Sequence, residues 1–170
     1  VTIIGGGLNG LLAAKSFINS NYDVLLIEFE EQLGGIINNS NKISLIDNKE
    51  PKDWLKETLQ EIKESKNVKI LKNTLVTTYN YINHLIAIED RFVGSKPIEG
   101  KVNSTLHKIR TGHTILCNGH IERCLSFQNN DLPGIMLSSS FEKYMCRYGL
   151  APSKEPVIFS NNSKSNSLVY

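Results

Sequence analysis

The chain opens on a short β-branched apolar run, residues 1–4, and a second apolar run follows at residues 24–27. Between them Leu8, Leu11, Leu12, Phe17 and Ile18 recur at helical spacing, with Ala13 and Ala14 as small packing residues. The polar turn Asn19-Ser20-Asn21 closes that helix. A second helix is expected over residues 51–66, where Pro51 suits a first turn and Trp54, Leu55, Thr58, Leu59 and Ile62 share one face. Residues 68–71 read as a third parallel strand. From residue 74 the period drops to two: residues 74–81 and 84–89 read as strands of an antiparallel meander, with Asn83 in the turn. Residues 105–110 and 113–117 read as two more strands joined around Gly112. Residues 36–50 and 93–104 carry no period and read as loops. Further on, a short strand is expected at 135–137. Ser139 and Glu142 have capping-box spacing at the start of a helix. Its Phe141, Tyr144, Met145 and Tyr148 form an expected core face, and it stops at Gly149 with Pro152 beyond. A last strand is expected at 156–159. The class is α/β: a parallel sheet with an inserted antiparallel β-meander at about residues 74–111.

The turn between the first strand and helix carries the chemistry. Gly5, Gly7 and Gly10 form G-x-G-x-x-G, and the run 24–27 ends in Glu28, about 18 residues after the last glycine and near the roughly 20 expected. Strand, glycine turn, helix, strand and acid follow in the order of a Rossmann-like FAD/NAD(P)-binding fold. Gly5 permits the sharp turn, Gly7 lets a pyrophosphate approach the backbone, and Gly10 allows close packing of the helix. The helix N-terminus presents free N–H groups to the phosphates. Glu28 is placed to accept hydrogen bonds from the adenosine ribose; it would repel a 2′-phosphate, so NAD or FAD is favoured over NADP. The turn Leu33-Gly34-Gly35 brings backbone, notably Gly35, close to a ligand. Val76, just after the third strand, is placed where backbone could meet an adenine, and Cys117-Asn118-Gly119 ends a strand in a small-residue turn. On this reading residues 1–150 form a dinucleotide-binding domain and residues 151–170 begin a second, truncated dinucleotide-fold domain. The turn after Phe159 holds Ser160, Asn161 and Asn162 in place of glycines, so ordinary nucleotide binding is not expected there.

Composition narrows the picture. The chain has 170 residues, 40% hydrophobic and 21% charged, with net charge +2, too small and too mixed for a nucleic-acid partner. No apolar run is long enough to cross a membrane and no secretory leader is visible, so a cytoplasmic location is expected. The chain starts inside a strand and ends on an apolar run, and both ends read as cuts in a longer protein. Cys117, Cys124 and Cys146 form no C-x-x-C pair, which argues against a dithiol reductase. His84, His107, His113 and His120 share no ligand spacing with cysteine or carboxylate, so no metal site is expected. No Ser-His-Asp or Cys-His arrangement stands out, and no catalytic residue is assigned in this segment.

The glycine fingerprint Gly5-Gly6-Gly7-Leu8-Asn9-Gly10, Glu28 and Leu33-Gly34-Gly35 resemble flavoprotein oxidoreductases with two dinucleotide-binding domains. A more specific stretch runs from Asn118-Gly119-His120-Ile121-Glu122-Arg123 through Asn129-Asn130-Asp131-Leu132-Pro133-Gly134-Ile135-Met136. Together with Arg147-Tyr148-Gly149-Leu150-Ala151-Pro152 and Val157-Ile158-Phe159-Ser160-Asn161-Asn162, it resembles the alpha subunits of heterotetrameric sarcosine oxidases over nearly the whole chain. That resemblance implies an oxidase turning sarcosine into glycine with tetrahydrofolate and oxygen, releasing hydrogen peroxide, with the flavin chemistry on a beta subunit. It implies partner subunits of beta, gamma and delta type. It also implies a non-covalent NAD, with FAD as the alternative, on Gly5, Gly7, Asn9, Gly10, Glu28, Phe29, Glu30, Ile36 and Val76, and Gly119 near the pyrophosphate. Leu8 within the fingerprint, Gly35 and Asn118 complete the candidate set. The chain departs from the family at Leu8-Asn9 (commonly Pro-Ala), at Glu28-Phe29 (Asp-Glu), at Cys117-Asn118 (Ala-Thr) and at Cys124 (Pro). An FAD-dependent dehydrogenase subunit and an assembly scaffold with a vestigial site are the competing readings.

Overall fold

A computed structural model of the chain describes residues 1–40, 43–91, 100 and 102–161. The expected opening is present. Strand β1 (Thr2–Ile4) leads into helix α1 (Leu8–Ser16), and strand β2 (Val24–Ile27) follows. After a short helix α2 (Ile36–Asn39) come the long helix α3 (Pro51–Glu64) and strand β3 (Val68–Leu71). Strands β4 (Thr74–Asn80), β5 (His84–Asp90) and β6 (Ser104–Arg110) form the meander, β7 (Thr114–Leu116) returns, and helix α4 (Ser138–Tyr148) comes last.

Two sheets result. β3-β2-β1-β7 are all parallel, with Ile3 opposite Leu26 and Ile115, and Leu26 opposite Ile70. β4-β5-β6 are antiparallel, with Ala87 opposite both Val76 and His107. The architecture is therefore the Rossmann-like α/β fold with an inserted meander that alternation of the residues predicts. Of the two strands joined around Gly112, β6 belongs to the meander and β7 to the parallel sheet.

Ile3, Val24 and Leu26 project from one face of the parallel sheet and pack with Leu11 and Ala14 of α1, Ile37 of α2, and Trp54, Leu55 and Ile62 of α3. Each fully buried aliphatic or aromatic side chain there contributes about 1.5–3 kcal/mol relative to exposure. Trp54 is buried and still donates its indole N–H to Asp47 Oδ2 at 2.9 Å, so the polar segment before α3 supplies the partner its ring requires. Asn67 ties β3 to the α1–β2 turn by donating to the carbonyls of Phe17 and Tyr22, both at 2.8 Å. Leu12, expected on the packed side of α1, is 40% exposed.

Several expectations are corrected. Residues 36–50 are not all loop: α2 forms at their start, and Asn38 donates to Leu33 O at 2.7 Å. The capping box does not form at α4; Ser138 Oγ and Ser139 N–H bond to Glu122, while Glu142 accepts from Ser40. The aromatic face of α4 is not core, since no residue of that helix is buried and Tyr144 and Tyr148 are exposed. Residues 135–137 and 156–159 are not strands. A run of apolar residues becomes a strand only where a partner edge accepts its backbone hydrogen bonds, and here Phe159 instead meets Phe127 edge-on at 5.5 Å. Gly149 does end α4 in the left-handed conformation, with φ of 65°. Most of the expected loop 93–104, and the turn and apolar run after residue 161, lie outside the described residues.

Candidate functional site

Three turns meet at the C-terminal ends of β1, β2 and β7, the edge where open α/β sheets bind ligands. The first is the glycine turn. Gly5 has φ of +104°, and a Cβ there would lie 2.3 Å from the Cys117 carbonyl oxygen, so the turn and β7 touch backbone to backbone. At Gly10 a Cβ would lie 1.7 Å from the Gly5 carbonyl oxygen, so the helix is seated on the turn itself. Gly7 differs: a Cβ there would meet only Gly35 Cα, at 3.9 Å. The space above Gly7 is open, which is what a diphosphate needs. The first intrahelical bond of α1 runs from Leu11 N–H to Gly7 O, leaving the N–H groups of Leu8, Asn9 and Gly10 ahead of the helical ladder.

The second turn, Leu33-Gly34-Gly35, lies against the first. Gly34 N–H donates to Gly6 O at 2.8 Å, and a Cβ on Gly35 would come within 3.0 Å of Gly7 Cα. Gly35, with φ of 53°, then caps α2. Two glycine backbones thus form one smooth wall.

Glu28 stands at the end of β2 with its carboxylate turned into this junction. Oε2 accepts from Gly6 N–H at 2.6 Å and Oε1 from Glu30 N–H at 2.7 Å. Both bonds use backbone donors, so each oxygen keeps acceptor capacity for ribose hydroxyls. Glu30 gives its own carboxylate to Lys143 Nζ at 2.8 Å and to Arg147. Burial pushes the Glu30 carboxyl up, but the two cations outweigh it and hold it below its ordinary value. Thr74 N–H donates to Glu28 O at 2.9 Å, which brings the start of β4 and half-buried Val76 to the same end of β2.

The remaining candidates line the opening or support it. Asn9, Phe29 and Ile36 are exposed, as are Asn118 and Gly119 beyond β7. Asn118 Cα flanks Gly5, while a Cβ at Gly119 would meet nothing within 4 Å. The Leu8 side chain packs against the core, leaving its backbone N–H for the helix terminus. Burial raises the Cys117 thiol, which therefore stays protonated beside the glycine turn. The sequence offered no sign of Lys143 or Arg147 here, because they arrive from a helix more than a hundred residues downstream of Glu30.

Residues 3–55 match the family described as the NAD(P)-binding Rossmann-like domain. Nearly the whole chain aligns with sarcosine oxidase alpha subunits: 30% identity over 168 residues with that of Rhizobium meliloti (strain 1021) and 28% over 171 residues with that of Corynebacterium sp. (strain P-1). The chain is a distant homologue of sarcosine oxidase alpha subunits. The two alignments cover 98% and 99% of this chain but only 17% and 18% of those subunits, so the chain spans less than a fifth of the relatives' length. In fold it is similar to L-proline dehydrogenase from P. horikoshii, with a TM-score of 0.75 at 22% identity over 99% of this chain and 32% of that one.

As a sarcosine oxidase alpha homologue, the chain carries a nucleotide-binding domain of an oxidoreductase superfamily. The residues present fit an adenine dinucleotide: Gly7, where a Cβ would meet only Gly35 Cα at 3.9 Å, stands at the N-terminus of α1 next to Gly6, whose N–H bonds the Glu28 carboxylate. No helix among the described residues is long and apolar enough to cross a membrane.

Proposed function

We propose that residues 1–150 are the nucleotide-binding domain of a sarcosine-oxidase-type alpha subunit and hold NAD non-covalently, in the cytoplasm. The observation that carries this is the open space over Gly7 between the N-terminus of α1 and a Glu28 carboxylate fixed by two backbone N–H groups. In this reading the N–H groups of Leu8 and Asn9 bind the diphosphate, Glu28 accepts from the adenosine ribose, and backbone at Val76 meets the adenine. Glycine walls at Gly7 and Gly35 let the diphosphate reach van der Waals contact with backbone and keep water out of that contact. A dinucleotide bound here supplies an adenosine diphosphate anchor and a redox-capable ring. Demethylation of sarcosine with tetrahydrofolate and oxygen takes place at flavins on a partner subunit. Exposed apolar side chains at Leu116, Ile121 and Val157 support burial of these residues in a larger assembly.

Likeness in fold to an L-proline dehydrogenase supports a second reading, in which the same cradle holds FAD in an amino-acid dehydrogenase complex. One experiment separates the two. The full-length protein is isolated, its absorbance spectrum recorded, and the nucleotide released by denaturation identified by mass spectrometry. Stoichiometric NAD without flavin absorbance from this subunit supports the first reading. Stoichiometric FAD supports the second, and absence of any nucleotide overturns both in favour of a scaffold.

A further inference from the structure

One carboxylate joins the ribose-reading residue to a helix far away in sequence. Glu30 donates its N–H to Glu28 Oε1 and gives its side chain to Lys143 and Arg147. The two cations stand four residues apart on α4 and so share one face. They are held there: Arg147 stacks against the Tyr148 ring at 5.7 Å, Glu31 attracts it more weakly, and α4 is anchored through Glu142 to Ser40 and through Ser138 and Ser139 to Glu122. None of these contacts belongs to the cradle itself, yet they bring two positive charges to the carboxylate of Glu30, whose N–H bonds Glu28.

A 2′-phosphate on the adenosine ribose would arrive beside Glu28, carrying a charge of about −1.5 to −2. An arginine near that position is the usual device for accepting it. Here both cations are already engaged by Glu30. We propose that Glu30 is a specificity-determining residue of the dinucleotide site, which occupies Lys143 and Arg147 and so withholds them from a 2′-phosphate. Glu28 repels that phosphate and Glu30 denies it the compensating cations. This rests on the nucleotide reading above and adds to it the class of nucleotide refused.

The test uses the full-length protein freed of bound nucleotide, with ADP-ribose and 2′-phospho-ADP-ribose as probes in isothermal titration. Wild type should bind ADP-ribose and discriminate against its 2′-phosphate. Glu30→Gln should narrow that discrimination by about tenfold, and less at high salt. Adding Lys143→Gln and Arg147→Gln to Glu30→Gln should restore it. A purely structural role for Glu30 weakens both probes equally and leaves the ratio unchanged, which overturns the proposal. Should Glu30→Gln not fold, Lys143→Gln alone serves: it leaves Glu30 under-neutralised and should sharpen the discrimination, and an unmoved ratio overturns the proposal again. Failure of wild type to bind either probe removes the nucleotide reading itself, a result distinct from binding without an altered ratio.

Discussion

Gly7 and Gly10 are three residues apart in one fingerprint, and replacing each by alanine should have opposite consequences. At Gly10 the added methyl would sit 1.7 Å from the Gly5 carbonyl oxygen, which is backbone and cannot rotate away. Relief requires moving α1 off the turn. Overpacking of this kind costs about 1–3 kcal/mol and occasionally more, and contact this close places Gly10→Ala at the upper end. The unfolding midpoint should fall by roughly 6–12 °C. At Gly7 the backbone already has φ of −76° and ψ of −169°, which alanine adopts without strain, and its Cβ would make an ordinary 3.9 Å contact. Gly7→Ala should therefore keep its stability within about 0.5–1 kcal/mol of wild type. Its methyl, however, fills the space assigned to the diphosphate, so affinity for ADP-ribose should drop by about a hundredfold, a loss of roughly 2.7 kcal/mol. Differential scanning calorimetry and isothermal titration on the full-length protein measure the two effects separately. Normal ADP-ribose binding by Gly7→Ala would refute the placement of the diphosphate. Equal destabilisation by both variants would refute the seating of α1.

Three further outcomes follow from named contacts. Glu28→Gln leaves one of the N–H groups of Gly6 and Glu30 facing an amide NH2, so it should cost about 1–3 kcal/mol in thermal unfolding and weaken ADP-ribose as well. Acid should loosen α4. Glu30 has its folded-state pKa depressed, so its contribution is complete above the ordinary value of 4.5 and is lost as pH falls through the lower folded value. Glu30→Gln should accordingly show a shallower loss of stability below about pH 4.5 than wild type, read as unfolding midpoint against pH; identical acid limbs would count against the ion pairs. Trp54→Ala empties a buried site and orphans Asp47, and should lower stability by about 3–5 kcal/mol in denaturant titrations, whereas Trp54→Phe should lose much less.

The parts of the fold that were legible in the sequence are those whose causes are local. β1, α1 and β2 follow from apolar period, a glycine turn and an acid within 28 residues, and the meander follows from strict alternation. The parts that were not legible depend on residues far away in the chain. α2 exists because Gly34 is pinned to Gly6 and Asn38 to Leu33. The start of α4 is capped from Glu122, sixteen residues earlier, rather than by its own Glu142, which instead serves Ser40. Apolar runs at 135–137 and 156–159 resemble strands in period alone, but period does not provide an edge to pair with. The same division applies to the candidate site. Its cradle could be read from Gly5, Gly7, Gly10 and Glu28, whereas the charge balance at its flank depends on Lys143 and Arg147, brought in by tertiary packing. A binding loop written locally but tuned from a distant helix implies that the two should change together. Deleting the cap on α4 with Glu122→Ala, which touches nothing in the cradle, should therefore loosen the Glu30 ion pairs, leave Glu30 under-neutralised and sharpen discrimination against 2′-phospho-ADP-ribose. An unchanged probe ratio in a variant whose α4 amides exchange faster would show that the helix and the cradle are independent.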